Sequence, residues 1–222
     1  MTEHSRRKAG RPKGTGTNGR TRTLTIPELT KFFTAAEAAS PRVDLMLVLA
    51  FHFALRAGEV AKIHFQHFVE KDYGDGRGIQ TVLIVQGLKG GSTIEALVPP
   101  EIVKKLDAWL EARGDRPNPW LFPHQRMIRH PSDHMTPEGV KTAFRIVLAK
   151  SGIVGHYSVH DLRHSKAQLM ALDNKTLPEI AGWLRHKSVS SSDRYIHAVA
   201  MQRQAVSQSK FLSKVLSGVS HA

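Results

Sequence analysis

The pattern of apolar and polar positions divides the chain into a polar start, a helical part, a short β region and a second helical part. Residues 1–22 hold almost no apolar side chains and are rich in Gly, Thr and Arg, which predicts a disordered arm. Ordered structure is predicted to begin at "TIPEL". There Thr25 as N-cap, an early Pro27 and Glu28 form the start of a helix that runs to about Ala39.

The next segment is apolar on nearly every face. Ser40 and Pro41 start a second helix whose body, "VDLMLVLAFHFAL", has no continuous polar stripe. A helix of this kind is buried on all sides, so we expect it at the centre of the domain. It runs into "RAGEVAKI", which places Arg56 at the end of the most buried element.

The middle of the chain changes from helical to β periodicity. Three strands are predicted, "HFQHFVE", "IQTVLIVQ" and "TIEALVP", separated by "DYGDGRG" and by "GLKGGS". No helix-length crossover lies between them, so the sheet is expected to be antiparallel. The second connection is a Gly-rich hairpin tip that carries Lys89.

Helical patterns return after the β region. They cover roughly 101–113, 137–150 with Thr136 as cap, 159–172 with Ser158 as cap, and 177–185, where "TLPE" repeats the capping pattern of "TIPE". A last amphipathic helix is predicted near 199–217. The expected fold class is α+β, mainly helical, with a small three-stranded antiparallel sheet. The expected organisation is an arm over 1–22, one domain over 23–200 and a C-terminal tail helix over 201–222.

Charge is the strongest global signal. The chain has 32 Lys and Arg against 19 Asp and Glu, a net charge of +13; the first 22 residues account for +6 and the rest for +7. A polyanionic partner is the natural inference, with nucleic acid ahead of a membrane because no basic amphipathic anchor helix is present. The alternative is a soluble basic protein without such a partner.

Three negative features narrow the class of protein. No apolar run is long enough to span a membrane, and the basic N-terminus is not followed by the apolar stretch of a secretory signal. The absence of cysteine excludes a disulfide framework and a thiolate zinc site. These features fit a cytoplasmic protein that works on a nucleoid in a bacterium or a phage-infected cell.

The basic arm contains a short recognisable string. "AGRPKG" resembles the AT-hook core, in which a Gly-Arg-Pro element lies in the A·T minor groove. A generic phosphate-binding arm is the preferred interpretation because the match is short. Its candidate DNA contacts are Arg6, Arg7, Lys8, Arg11 and Lys13.

One turn of the helix near 159–172 concentrates polar chemistry in "SVHDLRHS". His160 and His164 with Asp161 between them mimic a metalloprotease pattern, but Asp is one methylene shorter than the Glu that pattern requires. Arg163 would also place a permanent cation beside the metal. A metal site is therefore the weaker hypothesis.

An anion site is the stronger hypothesis for the same turn. His160 and Arg163 share a helix face close to the helix N-terminus, where backbone N–H groups and the dipole favour an anion. Arg presents a planar fork that matches phosphate oxygens. The structural alternative, in which Arg163 pairs with an acid and His160 caps the turn, remains open on these residues alone.

Other polar positions extend this turn into an ordered set. "ALRAGEV" contains Arg56, "LKGGSTIEALVP" contains Lys89, and "LRHKSVSSSDRYIH" contains His186 and Tyr195. With "HDLRHS" these strings resemble the boxes of the tyrosine recombinases, also called phage integrases. The resemblance covers about residues 23–200, the whole catalytic domain, and its boxes stand in the family's order.

The resemblance implies breakage of a DNA phosphodiester through a 3′-phosphotyrosine, without metal, ATP or another cofactor. Tyr195 would be the nucleophile, and His160 the group that receives its proton or binds the phosphate. Lys89 would protonate the leaving 5′ oxygen. Of the other tyrosines, Tyr73 lies in a Gly/Asp turn and Tyr157 beside a Gly, so neither follows a His-bearing turn.

The remaining site residues are assigned by the same resemblance. Arg56 and Arg163 would neutralise the transition-state charge from two sides, and His186 would hydrogen-bond the phosphate. Glu59, one turn after Arg56, is expected to hold a basic partner by ion pairing rather than to do chemistry. His197 is expected in a supporting role.

The sequence departs from the family pattern in two places. The Gly that usually precedes the third-box histidine is Arg185 here, which predicts either an altered turn or an added DNA phosphate contact. Most members also carry a separate helical domain before the catalytic one, where this chain has only the basic arm. Autonomous tight DNA binding is therefore not expected.

The expected partners are double-stranded DNA, further copies of the chain in a synaptic tetramer, and accessory DNA-bending proteins, with no membrane. The tail "AVAMQRQAVSQSKFLSKVLSGV" has apolar residues at helical spacing, which suits docking in trans on a neighbouring copy. Type IB topoisomerase activity is the alternative in chemistry. A non-catalytic DNA-binding regulator of the same fold is the alternative in class.

Overall fold

The computed structural model describes residues 22–87, 91–114, 118–124 and 134–186. Its helices are α1 (Ile26–Glu37), α2 (Pro41–His52), α3 (Ala57–Ala61), α4 (Pro100–Arg113), α5 (Pro137–Lys150), α6 (Val159–Leu172) and α7 (Leu177–Trp183). Its strands are β1 (Phe68–Asp72), β2 (Ile79–Gly87) and β3 (Gly91–Leu97). The predicted class, mainly helical α+β, is confirmed.

Several helices begin where local side-chain chemistry predicts. The hydroxyls of Thr25 and Thr176 each accept a hydrogen bond from the backbone N–H three residues on. The carboxylates of Glu28 and Glu179 accept from the backbone N–H of the capping threonine. Thr136 caps α5 by accepting from the N–H of Gly139. These bonds satisfy backbone donors that a helix start leaves without partners, so the elements form where the capping residues stand.

The apolar helix α2 is the centre of the fold, as predicted. Leu45, Met46, Leu47 and Leu49 are fully buried, and α2 packs against α1, α4 and α6. The expectation that it continues through Leu55 is wrong. It ends at His52, because Ala54 adopts a left-handed conformation with φ of 49° and reverses the chain.

The reversal changes the place of the first candidate arginine. Arg56 is not the last residue of a long buried helix; it is the N-cap of the short helix α3. The turn over residues 53–56 carries Arg56 out of the core while the adjoining residues Ala54 and Leu55 stay fully buried. Arg56 is therefore at the edge of the core, where an external group can approach it.

The sheet is antiparallel, as predicted, and its strand order is β1-β2-β3. Phe68 pairs with Leu83 in the first ladder and Val82 with Leu97 in the second. The predicted first strand was too long at its start, because residues Phe65–His67 form a 3-10 helix instead. The imidazole of His64 accepts the N–H of Gln66 there, a local bond that competes with strand pairing.

Among the described residues, no helix combines the length and the apolar character that crossing a membrane requires.

Candidate functional site

Three separate segments meet at one buried set of hydrogen bonds. They are the turn after α2, helix α6, and the turn after α7. The carbonyl of Ala54 accepts from Arg163 Nη1 at 2.6 Å and from Arg185 Nη2 at 3.1 Å. Arg163 Nη2 also donates to the carbonyl of Leu184. Arg163 thus ties the Arg56 segment to the segment that ends in His186.

Arg56 and Glu59 form the exposed edge of this set. The Arg56 backbone N–H donates to Glu59 Oε2 at 2.8 Å, and Arg56 Nη1 lies 2.9 Å from Oε1. The Glu59 side chain is fully buried, whereas that of Arg56 is 37% exposed. The predicted ion pair of Glu59 is confirmed, and it holds Arg56 with one side of its guanidinium toward the protein.

Arg185, for which the sequence predicts an altered turn or an added DNA phosphate contact, lies in the protein interior. Its side chain is fully buried, and Nη2 forms a 2.7 Å ion pair with Glu59 Oε2. Nη1 donates to the carbonyls of Phe53 and Trp183, each at 3.3 Å. The buried carboxylate of Glu59 pairs with the guanidinium, so the Arg185 side chain faces the protein interior.

The turn at Arg185 has a backbone conformation that favours glycine. Arg185 has φ of 53°, in the left-handed region that glycine enters without steric cost. This explains why a glycine suits the position. The same turn brings the N–H of His186 to the carbonyl of Ala181 at 3.0 Å, so His186 follows directly from the end of α7 and is half-buried.

Glu59 stays ionised because its partners outweigh its burial. Burial acts to raise the pKa of this carboxyl, but the bond from the Arg56 backbone and the charges of Arg185 and Arg56 bring the pKa below its ordinary value. Two guanidinium groups share this one carboxylate, so the two arginines retain a net positive charge. An anion that approaches the exposed edge of Arg56 meets that surplus.

In the first turn of α6, the Arg163 guanidinium binds backbone carbonyls and does not extend outward as a fork for a phosphate. Arg163 is only 1% exposed, and its guanidinium is directed at backbone carbonyls. His160, three residues earlier, is exposed, and its ring lies edge-on 4.5 Å from that of His164. The turn therefore combines one buried, fixed cation with one accessible imidazole.

Asp161, the carboxylate of the metal hypothesis, has a capping role that the sequence reasoning missed. Its Oδ2 accepts from the Ser158 N–H at 2.7 Å and from the Ser158 hydroxyl at 2.8 Å. The Ser-x-x-Asp spacing is the available signal, since it is a variant of the capping box. In the described ranges, no group of three or more His, Asp or Glu side chains is arranged to hold a metal ion.

The other residues that sequence reasoning missed act through the backbone or through packing. Ala54 and Leu184 contribute carbonyls, so no side-chain pattern marks them. Ser165 accepts from the Leu24 N–H at 2.8 Å and donates to the Asp161 carbonyl at 2.7 Å, which attaches the start of the folded domain to α6. Arg22 adds a bond to the carbonyl of His156.

Two tyrosines are in the described part of the chain, and neither is activated as a nucleophile. The Tyr157 hydroxyl donates to Glu28 at 3.4 Å, and that of Tyr73 donates to Glu95 at 3.1 Å. Burial, with the charge of Glu28, raises the pKa of Tyr157. Desolvation and the bond to Glu95 raise the pKa of Tyr73. Both shifts oppose formation of a phenolate.

The remaining predicted site residues lie outside the described residues. They are Lys89, between β2 and β3, and Tyr195 with His197, which follow His186. The arm residues Arg6, Arg7, Lys8, Arg11 and Lys13 and the tail over 201–222 also lie outside them.

Known proteins with a similar sequence or fold are tyrosine recombinases and site-specific recombinases. The chain is similar to the tyrosine recombinase XerA of Thermococcus kodakarensis, with 24% identity over 194 residues that cover 87% of this chain and 64% of that protein. The crystal structure of XerA recombinase matches with a TM-score of 0.67 and 21% identity, over 84% of this chain and 65% of that one. A XerH site-specific recombinase in a post-cleavage complex with palindromic difH substrate matches with a TM-score of 0.68 and 19% identity, over 84% of this chain and 52% of that one.

These matches extend along most of this chain, and the chain spans less than two thirds of the length of XerA. The model of the phage integrase family matches residues 22–202, which include the positions of Arg56, Arg163, His186 and Tyr195. The chain belongs to the phage integrase family.

Proposed function

We propose that the protein is a site-specific DNA recombinase of the integrase or invertase type, which cuts and rejoins DNA through a 3′-phosphotyrosine. The observation that carries the proposal is the hydrogen-bonded set that joins Arg56, Glu59, Arg163 and the turn before His186. It fixes guanidinium groups in place before any substrate arrives. Preorganised donors of this kind stabilise the charge that develops on phosphate oxygens.

The two arginines have complementary parts in this reaction. Arg56 is half-exposed and carries part of a surplus positive charge, so it suits direct contact with a non-bridging phosphate oxygen. Arg163 is held by two backbone carbonyls, so its charge cannot swing away as the transition state forms. A cation that is already fixed costs no reorganisation during the reaction.

The proposed chemical step is a transesterification at phosphorus. The phenolic oxygen of Tyr195 forms a bond to phosphorus, and the bond from phosphorus to the 5′ oxygen breaks. The exposed imidazole of His160 receives the phenolic proton, and Lys89 supplies a proton to the departing 5′ oxygen. The raised pKa values of Tyr73 and Tyr157 support Tyr195 as the nucleophile, because the chain has only three tyrosines.

The proposed partners follow from charge and from the relatives. Double-stranded DNA fits the net charge of +13, to which the arm residues 1–22 contribute +6. XerH is described in a complex with its difH substrate. A lambda integrase is described as a tetramer bound to a Holliday junction. We extend these partners to this chain, with the tail over 201–222 docking in trans, and we add accessory DNA-bending proteins.

Capture of a covalent adduct tests the proposal. The probe is a pool of nicked duplexes with randomised sequence around the nick, so that the 5′ fragment diffuses away after cleavage. The wild-type protein is expected to retain DNA through SDS treatment and release it after protease digestion, in EDTA and without ATP. Tyr195→Phe removes the nucleophilic oxygen and is expected to abolish the adduct. Its DNA affinity should change only by about fivefold or less, since one hydroxyl contributes about 1 kcal/mol.

Tyr157→Phe is the matched control. It removes a hydroxyl that contacts Glu28, and neither residue takes part in the proposed chemistry. It should form the adduct at the wild-type rate. An adduct that persists in Tyr195→Phe and disappears in Tyr157→Phe would contradict the assignment of the nucleophile. Wild-type protein that binds the duplexes and never becomes attached to them would indicate a DNA-binding regulator instead.

A further inference from the structure

We infer that Arg185 is a positioning residue of strand cleavage, which holds Glu59 and through it Arg56, and that it does not contact DNA. The inference rests on the proposed function. Its basis is the burial of the whole Arg185 side chain together with its 2.7 Å ion pair to a carboxylate that also binds Arg56.

Glu59 uses its two oxygens unequally, and this defines what Arg185 contributes. Oε1 binds the Arg56 guanidinium, while Oε2 accepts both the Arg56 backbone N–H and Arg185 Nη2. Without Arg185, Oε2 of the carboxylate would lose a charged, fully buried donor. The full negative charge of the carboxylate would then act on Arg56, and less positive charge would remain for a phosphate.

Arg185 also joins the two turns that carry site residues. Its guanidinium donates to the carbonyls of Phe53 and Ala54, in the turn that leads to Arg56. Its backbone immediately precedes His186. One side chain therefore links the turn before Arg56 to the turn before His186. The bonds that Arg163 makes to Ala54 and Leu184 link the same two turns.

The Arg185 side-chain contacts hold a backbone conformation that is unfavourable for a residue with a Cβ. Arg185 adopts φ of 53°, which strains a residue that has a Cβ and would not strain glycine. The Nε of Arg185 is buried without a hydrogen-bond partner in the described part of the chain. The contacts of the terminal nitrogens hold this conformation against both unfavourable effects.

The experiment compares cleavage with binding on one nicked duplex that the wild-type protein captures. Arg185→Met keeps much of the length of the side chain and removes the charge. We expect the single-turnover cleavage rate to fall about 100-fold, the size of effect that a displacement of about 1 Å produces at a reacting centre. The equilibrium Kd for the same duplex should change by about threefold or less, and the slope of log Kd against log salt should stay the same.

Two further substitutions separate the guanidinium from the backbone. Arg185→Gly also loses the guanidinium but relieves the left-handed strain that Arg185→Met keeps, so we expect a folded protein whose cleavage rate falls only about tenfold. Arg185→Lys keeps a charge for Glu59 and should recover part of the rate. In a Glu59→Gln background, Arg185→Met should add about threefold or less, because both changes act on the same contact.

Arg113→Met is the matched control for burial of an arginine. Arg113 is also buried, and it donates to the carbonyls of Asn118 and Trp120. The control is expected to lose thermal stability and to cleave at the wild-type rate per folded molecule. Equal losses of cleavage in Arg113→Met and Arg185→Met would overturn the positioning role in favour of general destabilisation.

The other outcomes are equally decisive. A salt slope that decreases by about 0.9, with weaker binding, would mean that Arg185 neutralises a DNA phosphate directly. Full cleavage by Arg185→Met or Arg185→Gly would show that the residue positions nothing. Wild-type protein that captures no duplex would overturn the proposed function. An adduct that forms equally fast with and without Arg185 would overturn this inference alone.

Discussion

Two buried carboxylates of this protein are held in opposite ways. Asp44, in the first turn of α2, pairs with Lys105 of α4 at 2.5 Å, and burial raises its pKa despite that partner. Glu59, in α3, binds two arginines and a backbone N–H, which lower its pKa despite burial. The Asp44 pair joins two helices and leaves no surplus charge. The Glu59 cluster has more positive charge than its carboxylate can neutralise.

This difference distinguishes a structural ion pair from a site. The Lys105 side chain is 29% exposed, and its Nζ also lies 3.6 Å from Glu37, so water and a second acid can replace Asp44. Arg185 is fully buried, so nothing outside the protein can replace Glu59. A cluster that retains positive charge beside the exposed Arg56 can attract a further anion, and the scissile phosphate is the anion that we propose.

Neutralising each carboxylate in turn should give the largest contrast. Glu59→Gln leaves two guanidinium groups without a counter-charge, so we expect cleavage to fall by about 10²-fold or more. Unfolding free energy should fall by about 3 kcal/mol, as is usual when one partner of a buried pair is removed. Asp44→Asn should keep the cleavage rate within about threefold of wild type. Single-turnover cleavage and urea unfolding of both variants measure these effects, and equal losses of cleavage would remove the distinction.

The two carboxylates should also respond to acid with opposite signs. Glu59 has a folded pKa below its ordinary 4.5, so the stability it contributes is present above that value and is lost as the pH falls. Asp44 has a folded pKa above its ordinary 3.8, so its contribution decreases as the pH rises through the window above 3.8.

Urea unfolding between about pH 4 and 6 tests these signs. Glu59→Gln should flatten the acid-side loss of stability, because it removes a group that the folded state keeps ionised. Asp44→Asn should make that loss steeper, because it removes the group whose protonation favours the folded state. Parallel pH profiles for the two variants would contradict the comparison.

A separate effect nearer to neutral pH is expected from His52, in the last turn of α2. Burial, with the charge of Lys166, lowers its pKa from 6.5 to about 4. Stability should therefore fall as the pH decreases from 6.5 toward 4, because the unfolded chain binds a proton that the folded form resists. His52→Gln should remove that part of the profile and leave the carboxylate part in place. An unchanged slope near pH 6 would show that His52 is protonated in the folded state.

Local sequence signals predict much of the fold. Thr25 and Thr176 each precede a Pro and a Glu at capping-box spacing, and both helices start there. The β periodicity and the short connections predicted three antiparallel strands, and the structure has them. The end of α2 could not be predicted in this way. Ala54 is a strong helix former, and only its tertiary surroundings force it to φ of 49°.

The candidate site also has a part that local motifs predict and a part that depends on tertiary contacts. The ordered motifs predict Arg56, His160, Arg163 and His186 as site residues, because family motifs consist of side chains. The direction in which Arg185 points depends on a carboxylate 126 positions away along the chain, and no local pattern encodes that distance. Carbonyl acceptors such as Ala54 are likewise invisible in the sequence, since every residue has one.

The bond between Leu24 and Ser165 has a mechanical consequence. The amide of Leu24 is attached to the second turn of α6, and Arg22 is attached to the carbonyl of His156 just before that helix. Tension applied along the backbone at residue 22 is therefore transmitted to the helix of His160 and Arg163 before it reaches α1. A load on residues 22–24 therefore reaches α6 through these two hydrogen bonds as well as through the backbone.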